Sequence, residues 1–153
     1  MAALVDYTAL TEAEGFKDTF PVASKTPVDG LNKEFWRKVR VDLSLTNLAM
    51  GDWAKIMVIP AHTYVKDVFA VVVVAETAGN ILVGDANADQ SNTWITATAA
   101  TSADALIKTP ASTNQATWGK YYHAAGALYL SISAAFDEAI LDVYVLCQQI
   151  DPE

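Results

Sequence analysis

The chain is poor in the residues that usually build reactive sites. Its 153 residues include one cysteine, Cys147, and two histidines, His62 and His123. A single cysteine excludes an intrachain disulfide and a cysteine-ligated metal site. The histidines are far apart in the sequence, which argues against the histidine-rich metal site of cupin-type enzymes. Cys147 lies in an apolar stretch, so we expect its side chain to be small, buried and unreactive.

Positive charge is also scarce. Ten Lys and Arg against 18 Asp and Glu give a net charge of −8, and this balance argues against a nucleic-acid partner. The charge is unevenly distributed, because residues 1–40 are neutral and residues 41–153 carry the whole acidic excess. A basic cluster at 33–40 either pairs with an acidic neighbour or lies as a solvated entrance to a strand.

Long apolar runs are absent as well. No stretch approaches the roughly 20 apolar residues that cross a bilayer, so we expect no membrane partner. Met1 is not followed by the basic segment and apolar core of a signal peptide. Instead, 52% of the residues are hydrophobic and only 18% are charged, and the mean hydropathy is +0.21. This composition is typical of one folded domain and not of a disordered chain.

The sequence also lacks the common catalytic motifs. We find no Gly-x-Ser-x-Gly elbow, P-loop or Gly-x-Gly-x-x-Gly segment. The segment Asp85-x-Asn87-x-Asp89 begins like a calcium loop, but Gln90 and Thr96 stand where that loop requires Gly and Glu. We interpret it as an Asx-rich turn, and a weak calcium site completed by another loop stays open. The sequence therefore predicts no catalytic residues, no metal and no cofactor.

From residue 38 onward the hydrophobic pattern has the period of two that is typical of β-strands. Val39, Val41, Leu43 and Leu45 alternate with polar residues, and 64–75 is the most apolar run. We predict that this run is a central strand buried on both faces. Further strands are predicted at 53–59, 81–83, 118–123, 127–133 and 139–148, and 93–98 and 105–108 are candidate strands. About eight strands without a long helical pattern predict an all-β antiparallel β-sandwich, with the jelly roll as the leading choice.

Residues 1–37 do not follow this pattern. We predict that they form an extended, mostly irregular N-terminal arm, followed by a β-sandwich domain at 38–150. Pro21 and Pro27 interrupt the segment, yet it is rich in large apolar side chains. It either packs along its own domain or reaches onto a neighbouring chain, and both alternatives stay open. Its candidate partner-contact residues are Leu10, Phe16, Phe20, Leu31, Phe35 and Trp36.

Four aromatic residues of the predicted domain complete the candidate interface. They are Trp94, Trp118, Tyr121 and Tyr122. Aromatic residues dominate both cores and interfaces, so a core or subunit-interface position is the leading interpretation. The alternative is that exposed rings stack on sugars, as in carbohydrate-binding modules. The two interpretations differ in whether Trp94 and Trp118 are exposed and coplanar or buried in a seam.

Five turn and strand motifs follow one another along the predicted domain. They are Gly51-Asp52, Ile59-Pro60-Ala61-x-Thr63-x-Val65, Val83-Gly84-Asp85, Gly119-Lys120-Tyr121-Tyr122 and Val143-x-Val145-x-Cys147. Over residues 38–148 this order resembles small virion structural proteins of tailed bacteriophages, of the capsid decoration or cement type. The motifs carry no catalytic signature, and the resemblance does not extend to the predicted arm.

The resemblance implies a non-enzymatic protein that is made in the bacterial host cytoplasm and located on the outer capsid surface of the virion. Proteins of this type bind the major capsid protein and bridge its neighbouring subunits, often as homotrimers with an apolar seam near the axis. The arm would then reach the capsid protein below. A head-fibre or tail component of the virion would have a similar sequence, and a carbohydrate-binding module remains the alternative from a different class.

Overall fold

Strands account for the regular structure of the described residues. The computed structural model describes residues 4–6, 16–18, 34–86, 89–108 and 119–150. Within these ranges no helix is long and apolar enough to cross a membrane. The strands are β1 (Leu4–Asp6), β2 (Phe16–Asp18), β3 (Glu34–Asp42), β4 (Trp53–Ile59), β5 (Thr63–Val74), β6 (Asn80–Ala86), β7 (Asp89–Ala99), β8 (Leu106–Ile107), β9 (Lys120–Tyr122), β10 (Gly126–Ile132) and β11 (Ile140–Gln149).

The strands form two sheets that confirm the predicted all-β sandwich. The first sheet has the order β1-β4-β10-β6-β7, and the second has the order β2-β3-β11-β5-β8 with β9 also on β5. β8 and β9 pair with β5 in the same direction, so they act as one interrupted strand. When the strands are counted from β3, with β8 and β9 as one strand, the second sheet has the order first, eighth, third, sixth. The first sheet then has the order second, seventh, fourth, fifth. This is the strand order of a jelly roll.

Two short N-terminal strands extend these sheets within the same chain. β1 runs parallel to β4, and β2 runs antiparallel to β3 with Phe16 opposite Val41. β3 begins at Glu34, before the predicted domain boundary at 38, so Phe35 and Trp36 belong to a strand of the sandwich. The other candidate contact residues of the arm, Leu10, Phe20 and Leu31, lie outside the described residues.

The core lies between the sheets and is filled mainly from alternate positions of the strands from β3 onward. Trp94 and Phe136 are the largest fully buried side chains among the described residues. Cys147 is also buried there, as predicted. The predicted burial of β5 on both faces is wrong, because its residues alternate between buried and partly exposed. Val72 is fully buried but Val74 is 41% exposed, so only one face of the valine run contributes to the core.

An arginine takes one inward position of β3. Arg37 is only 6% exposed, and its Nη1 donates to the carbonyl oxygen of Val58 on β4 at 2.5 Å. Its neighbour Trp36 consequently points outward and is 45% exposed, because successive strand residues face opposite sides. The start of β3 therefore reverses the usual hydrophobic pattern, with a cation inside and an indole outside.

A buried carboxylate joins the turn after β5 to the turn before β11. Glu76 is 5% exposed, and its Oε2 accepts backbone N–H groups from Asp137, Glu138 and Ala139 at 3.1, 3.1 and 3.2 Å. Its Oε1 accepts the N–H of Thr77 at 3.2 Å. Burial raises the pKa of this carboxyl, but the four N–H groups outweigh burial and hold it below its ordinary value of 4.5. The ionised Glu76 therefore fixes this end of the sandwich.

Candidate interaction surfaces

The outer face of the second sheet carries a cluster of aromatic rings. The register places Leu146 opposite Trp36 and places Tyr144 opposite Phe69. Trp36 and Phe69 meet edge to face with ring centroids 5.3 Å apart, and Phe69 stacks on Tyr144 at 4.9 Å. The outer face of a sandwich sheet is normally polar. We call this apolar surface the aromatic face, and its members are Trp36, Phe69, Val71, Leu106, Tyr144 and Leu146.

The aromatic face extends across four strands, from β3 to β8. Leu106 on β8 lies opposite Val71 on β5. Leu106 is 63% exposed and Trp36 is 45% exposed, and the other four members are partly exposed. With strands ~4.8 Å apart and same-face residues ~6.8 Å apart, the six members cover about 200 Å² of the sheet.

The charged side chains beside the aromatic face are held in a compact cluster. Arg40 binds Asp142 with two hydrogen bonds, from Nε to Oδ1 at 2.7 Å and from Nη2 to Oδ2 at 2.8 Å. Lys38 Nζ approaches the same carboxylate at 2.7 Å. Burial raises the pKa of Asp142, but the hydrogen bonds from Arg40 and Lys38 lower it further than burial raises it. The hydrogen bond to Asp142 in turn raises the pKa of Arg40, so Asp142 and Arg40 stay charged.

Two further ion pairs lie toward β5 and β8. Lys66 pairs with Glu34, and Lys108 Nζ lies 2.5 Å from Asp67 Oδ2. Together with the cluster around Asp142, these pairs hold four basic and three acidic residues. The whole chain has 10 basic and 18 acidic residues. The ion pairs beside the aromatic face therefore have nearly balanced charge.

Two of the predicted interface residues lie inside the sandwich. Trp94 is fully buried and Tyr122 is 6% exposed, so neither ring is presented to a partner. The Tyr122 hydroxyl donates to Asp85 Oδ2 at 3.2 Å, and Lys120 pairs with the same carboxylate. Burial raises the pKa of Tyr122 and the Asp85 charge raises it further, so the phenol keeps its proton. This cluster joins β6 of the first sheet to β9 of the second.

The burial of Trp94 and Asp85 bears on the two binding functions that the sequence left open, sugar stacking and calcium binding. The sugar-stacking interpretation required Trp94 and Trp118 to be exposed and coplanar; Trp94 is in the core, and Trp118 lies outside the described residues. The Asp85 carboxylate of the possible calcium loop has a side chain only 2% exposed and bonded to Lys120, and Asn87 also lies outside the described residues. In the part of the chain that the structure describes, no three His, Cys, Asp or Glu side chains are grouped to hold a metal.

Tyr121 lies between the two histidines of the chain. His62 Nδ1 is 3.0 Å from the Tyr121 hydroxyl, and the His123 ring meets the Tyr121 ring edge-on at 4.4 Å. The pairing of β9 with β5 brings these residues together, and no spacing in the sequence signals it. Tyr121 is partly exposed, so this predicted contact residue remains at the surface.

The motif glycine before β9 is required by its surroundings. Gly119 has a φ of +74°, and a Cβ atom there would lie 2.6 Å from the Tyr64 hydroxyl oxygen and 2.7 Å from the carbonyl oxygen of Val65. Any side chain would therefore collide with β5. The Gly-Lys-Tyr-Tyr motif thus owes its glycine to the close approach of β9 to β5.

The outer face of the first sheet has a half-open groove of about 300 Å³. Trp53, Leu82 and Ser131 line it and are 5%, 8% and 7% exposed. Met50 lies at the groove and is 72% exposed. The volume is at the lower end of the range for small-molecule sites. The groove is on the opposite side of the sandwich from the aromatic face.

The chain shares its fold with a chain from the capsid of Ralstonia phage GP4. The two align with a TM-score of 0.58 and 14% sequence identity, and the alignment covers 98% of this chain and 100% of that chain. Because both are covered almost end to end, they are similar in length. No protein family and no curated protein matches the sequence.

Proposed function

We propose that this chain is a non-enzymatic structural protein of a bacteriophage virion. The observation that carries the proposal is the end-to-end fold similarity to a chain of similar length in a phage capsid. The order of turn and strand motifs, which resembles small phage virion proteins, points to the same class.

The buried charges of the described residues agree with a structural role. Glu76 holds two turns together through four backbone N–H groups. Asp142 binds two cations on a sheet surface, and Asp85 joins the two sheets. Each carboxylate thus has a role in holding the fold, and an enzyme would instead present such groups to a substrate in a cleft.

Within this class, we propose a decoration or cement protein. It would bind the major capsid protein on the outside of the shell and bridge its neighbouring subunits, as a homotrimer around a symmetry axis. Many copies, each adding a modest interface, would together stabilise the shell, because closed symmetry lets the contacts act at once. In the described part of the chain, the candidate contact residue Trp36 is exposed, and Phe35 and Tyr121 are partly exposed.

The direct test is binding to shells assembled from the major capsid protein encoded in the same genome. We expect the purified chain to sediment with these shells, to saturate at a fixed ratio to the major capsid protein, and to raise the temperature at which they fall apart. A small acidic protein of unrelated fold serves as the control for non-specific trapping of protein in the sedimented shells. If the chain stays in the supernatant at every concentration, the decoration role is wrong.

A further inference from the structure

We infer that one end of the sandwich is the surface by which this chain docks on a basic, partly apolar surface of another protein. The inference rests on the proposed function, in which that surface belongs to the major capsid protein. Four connections between strands form this end, which we call the turn end. They are β3–β4 (43–52), β5–β6 (75–79), β7–β8 (100–105) and β10–β11 (133–139).

The turn end carries charge of one sign. Its four connections contain five acidic residues and no Lys, Arg or His. Asp104, Asp137 and Glu138 are exposed, and within the described ranges no ion pair neutralises these three side chains. At the opposite end, the connections 60–62 and 123–125 contain both histidines and no acidic residue. The acidic charge is therefore concentrated at the turn end.

Large apolar side chains are exposed at the same end. Leu45 and Met50, both in the β3–β4 connection, are 54% and 72% exposed, and Val74 at the end of β5 is 41% exposed. These are three of the six exposed large apolar side chains of the described residues. Exposed apolar residues with charged neighbours are typical of a surface that contacts another protein.

The acidic side chains are too widely spread to form a metal site. Among the residues that the structure describes, no three His, Cys, Asp or Glu side chains are grouped to hold a metal ion. The carboxylates instead come from separate connections, with Asp104 before β8 and Asp137 and Glu138 before β11. This spacing suits a broad protein surface.

The sign of the charge selects a basic occupant. Two copies that met through their turn ends would bring like charges together, and nucleic acid also has negative charge. Lys and Arg side chains around an apolar patch would instead pair with the exposed carboxylates and bury Leu45 and Met50. Docking by this end leaves the faces and edges of the sheets available to neighbouring copies, in agreement with the proposed homotrimer.

The turn end is also preorganised for a contact. Leu48 and Phe136 exchange two backbone hydrogen bonds of 3.1 and 3.0 Å, which join the β3–β4 and β10–β11 connections. Glu76 Oε2 accepts the N–H groups of Asp137 and Glu138, both at 3.1 Å. A surface that is already held in place loses less conformational entropy when a partner binds.

The test is binding of the full chain to shells assembled from the major capsid protein of the same genome, measured by sedimentation. Asp137→Asn/Glu138→Gln removes two exposed charges and should weaken binding about 3–20-fold at about 50 mM salt. The loss should shrink at about 300 mM salt, where these charges are screened. Leu45→Ser/Met50→Ser should also weaken binding, because it removes the apolar contact. Far-UV circular dichroism should show that both variants fold.

Ala124→Lys/Ala125→Lys is the matched control. It changes the net charge by the same two units at exposed residues of the opposite end, and it should bind like the unmodified chain. Unchanged binding by the charge variant, or equal weakening in the variant and the control, would overturn the inference and leave the decoration role intact. A chain that does not bind the shells at all would overturn both.

Discussion

Replacing Glu76 by Gln should weaken the fold by an amount that the geometry sets. The carboxylate accepts four backbone N–H groups. In the variant the amide oxygen can still accept the N–H groups of 137–139, but as a neutral acceptor, which loses roughly 0.5 kcal/mol per bond. The amide NH2 then faces the Thr77 N–H, and that lost bond costs about 1 kcal/mol. The free energy of unfolding should fall by about 2–3 kcal/mol.

The same substitution has a predicted pH dependence. The folded-state pKa of Glu76 is held below its ordinary value of 4.5, so the unfolded state binds the proton more readily. The stability from ionised Glu76 is therefore present above about pH 4.5 and is lost as the pH falls through the lower folded-state pKa. The difference between the unmodified chain and Glu76→Gln should be constant from pH 5.5 to 7 and should shrink below about pH 4.5.

The assay is urea unfolding followed by tryptophan fluorescence at several pH values. Glu138→Gln is the matched control, because Glu138 lies in the same turn but has an exposed side chain. It removes the same charge and should change the free energy of unfolding by less than about 0.5 kcal/mol. A Glu76→Gln variant as stable as the unmodified chain at pH 7, or a difference that does not change with pH, would refute the reasoning.

Two other substitutions test the packing and the surface cluster by the same unfolding assay. Gly79→Ala should destabilise by about 2–4 kcal/mol, because φ is +121° and the added Cβ would lie 2.6 Å from Cε1 of buried Phe136; a loss below 0.5 kcal/mol would contradict this. Asp142→Asn should cost about 1–2 kcal/mol, since it leaves Lys38 and Arg40, both partly screened by water, without their carboxylate. Equal stability at pH 7 would show that the cluster contributes nothing.

The sequence pattern predicted strands well where alternation is simple. The strand at 53–59 has its predicted bounds, and Val39 and Val41 face the core as expected. The hydrophobic pattern failed to predict the start of β3, because Arg37 occupies an inward position and Trp36 an outward one. A hydrophobic period cannot show that an arginine is buried to bind a carbonyl group of the other sheet.

The surface was harder to predict than the core. The sequence predicts Trp36 as a contact residue of an irregular arm, whereas the structure places it exposed on a strand. Phe69 and Val71 were assigned to the interior, since an apolar run does not by itself distinguish one buried face from two. The outward positions of β5 and β11, considered together, are the signal that would have identified the aromatic face.

Contacts between residues that are far apart in the chain could not be predicted from the hydrophobic pattern. Glu76 binds a backbone N–H 61 residues away, and the two histidines meet around Tyr121 only because β9 pairs with β5. Hydrophobic spacing reports local structure, whereas these contacts follow from the jelly-roll order of strands.

The most direct test of the proposed virion role is quantitative mass spectrometry of phage particles purified from cells that carry the genome encoding this chain. The account predicts that the chain stays with the particles through density-gradient purification, in a fixed ratio to the major capsid protein. A chain found only in the soluble lysate, and lost from the particles during the gradient, would contradict a role as a virion structural protein.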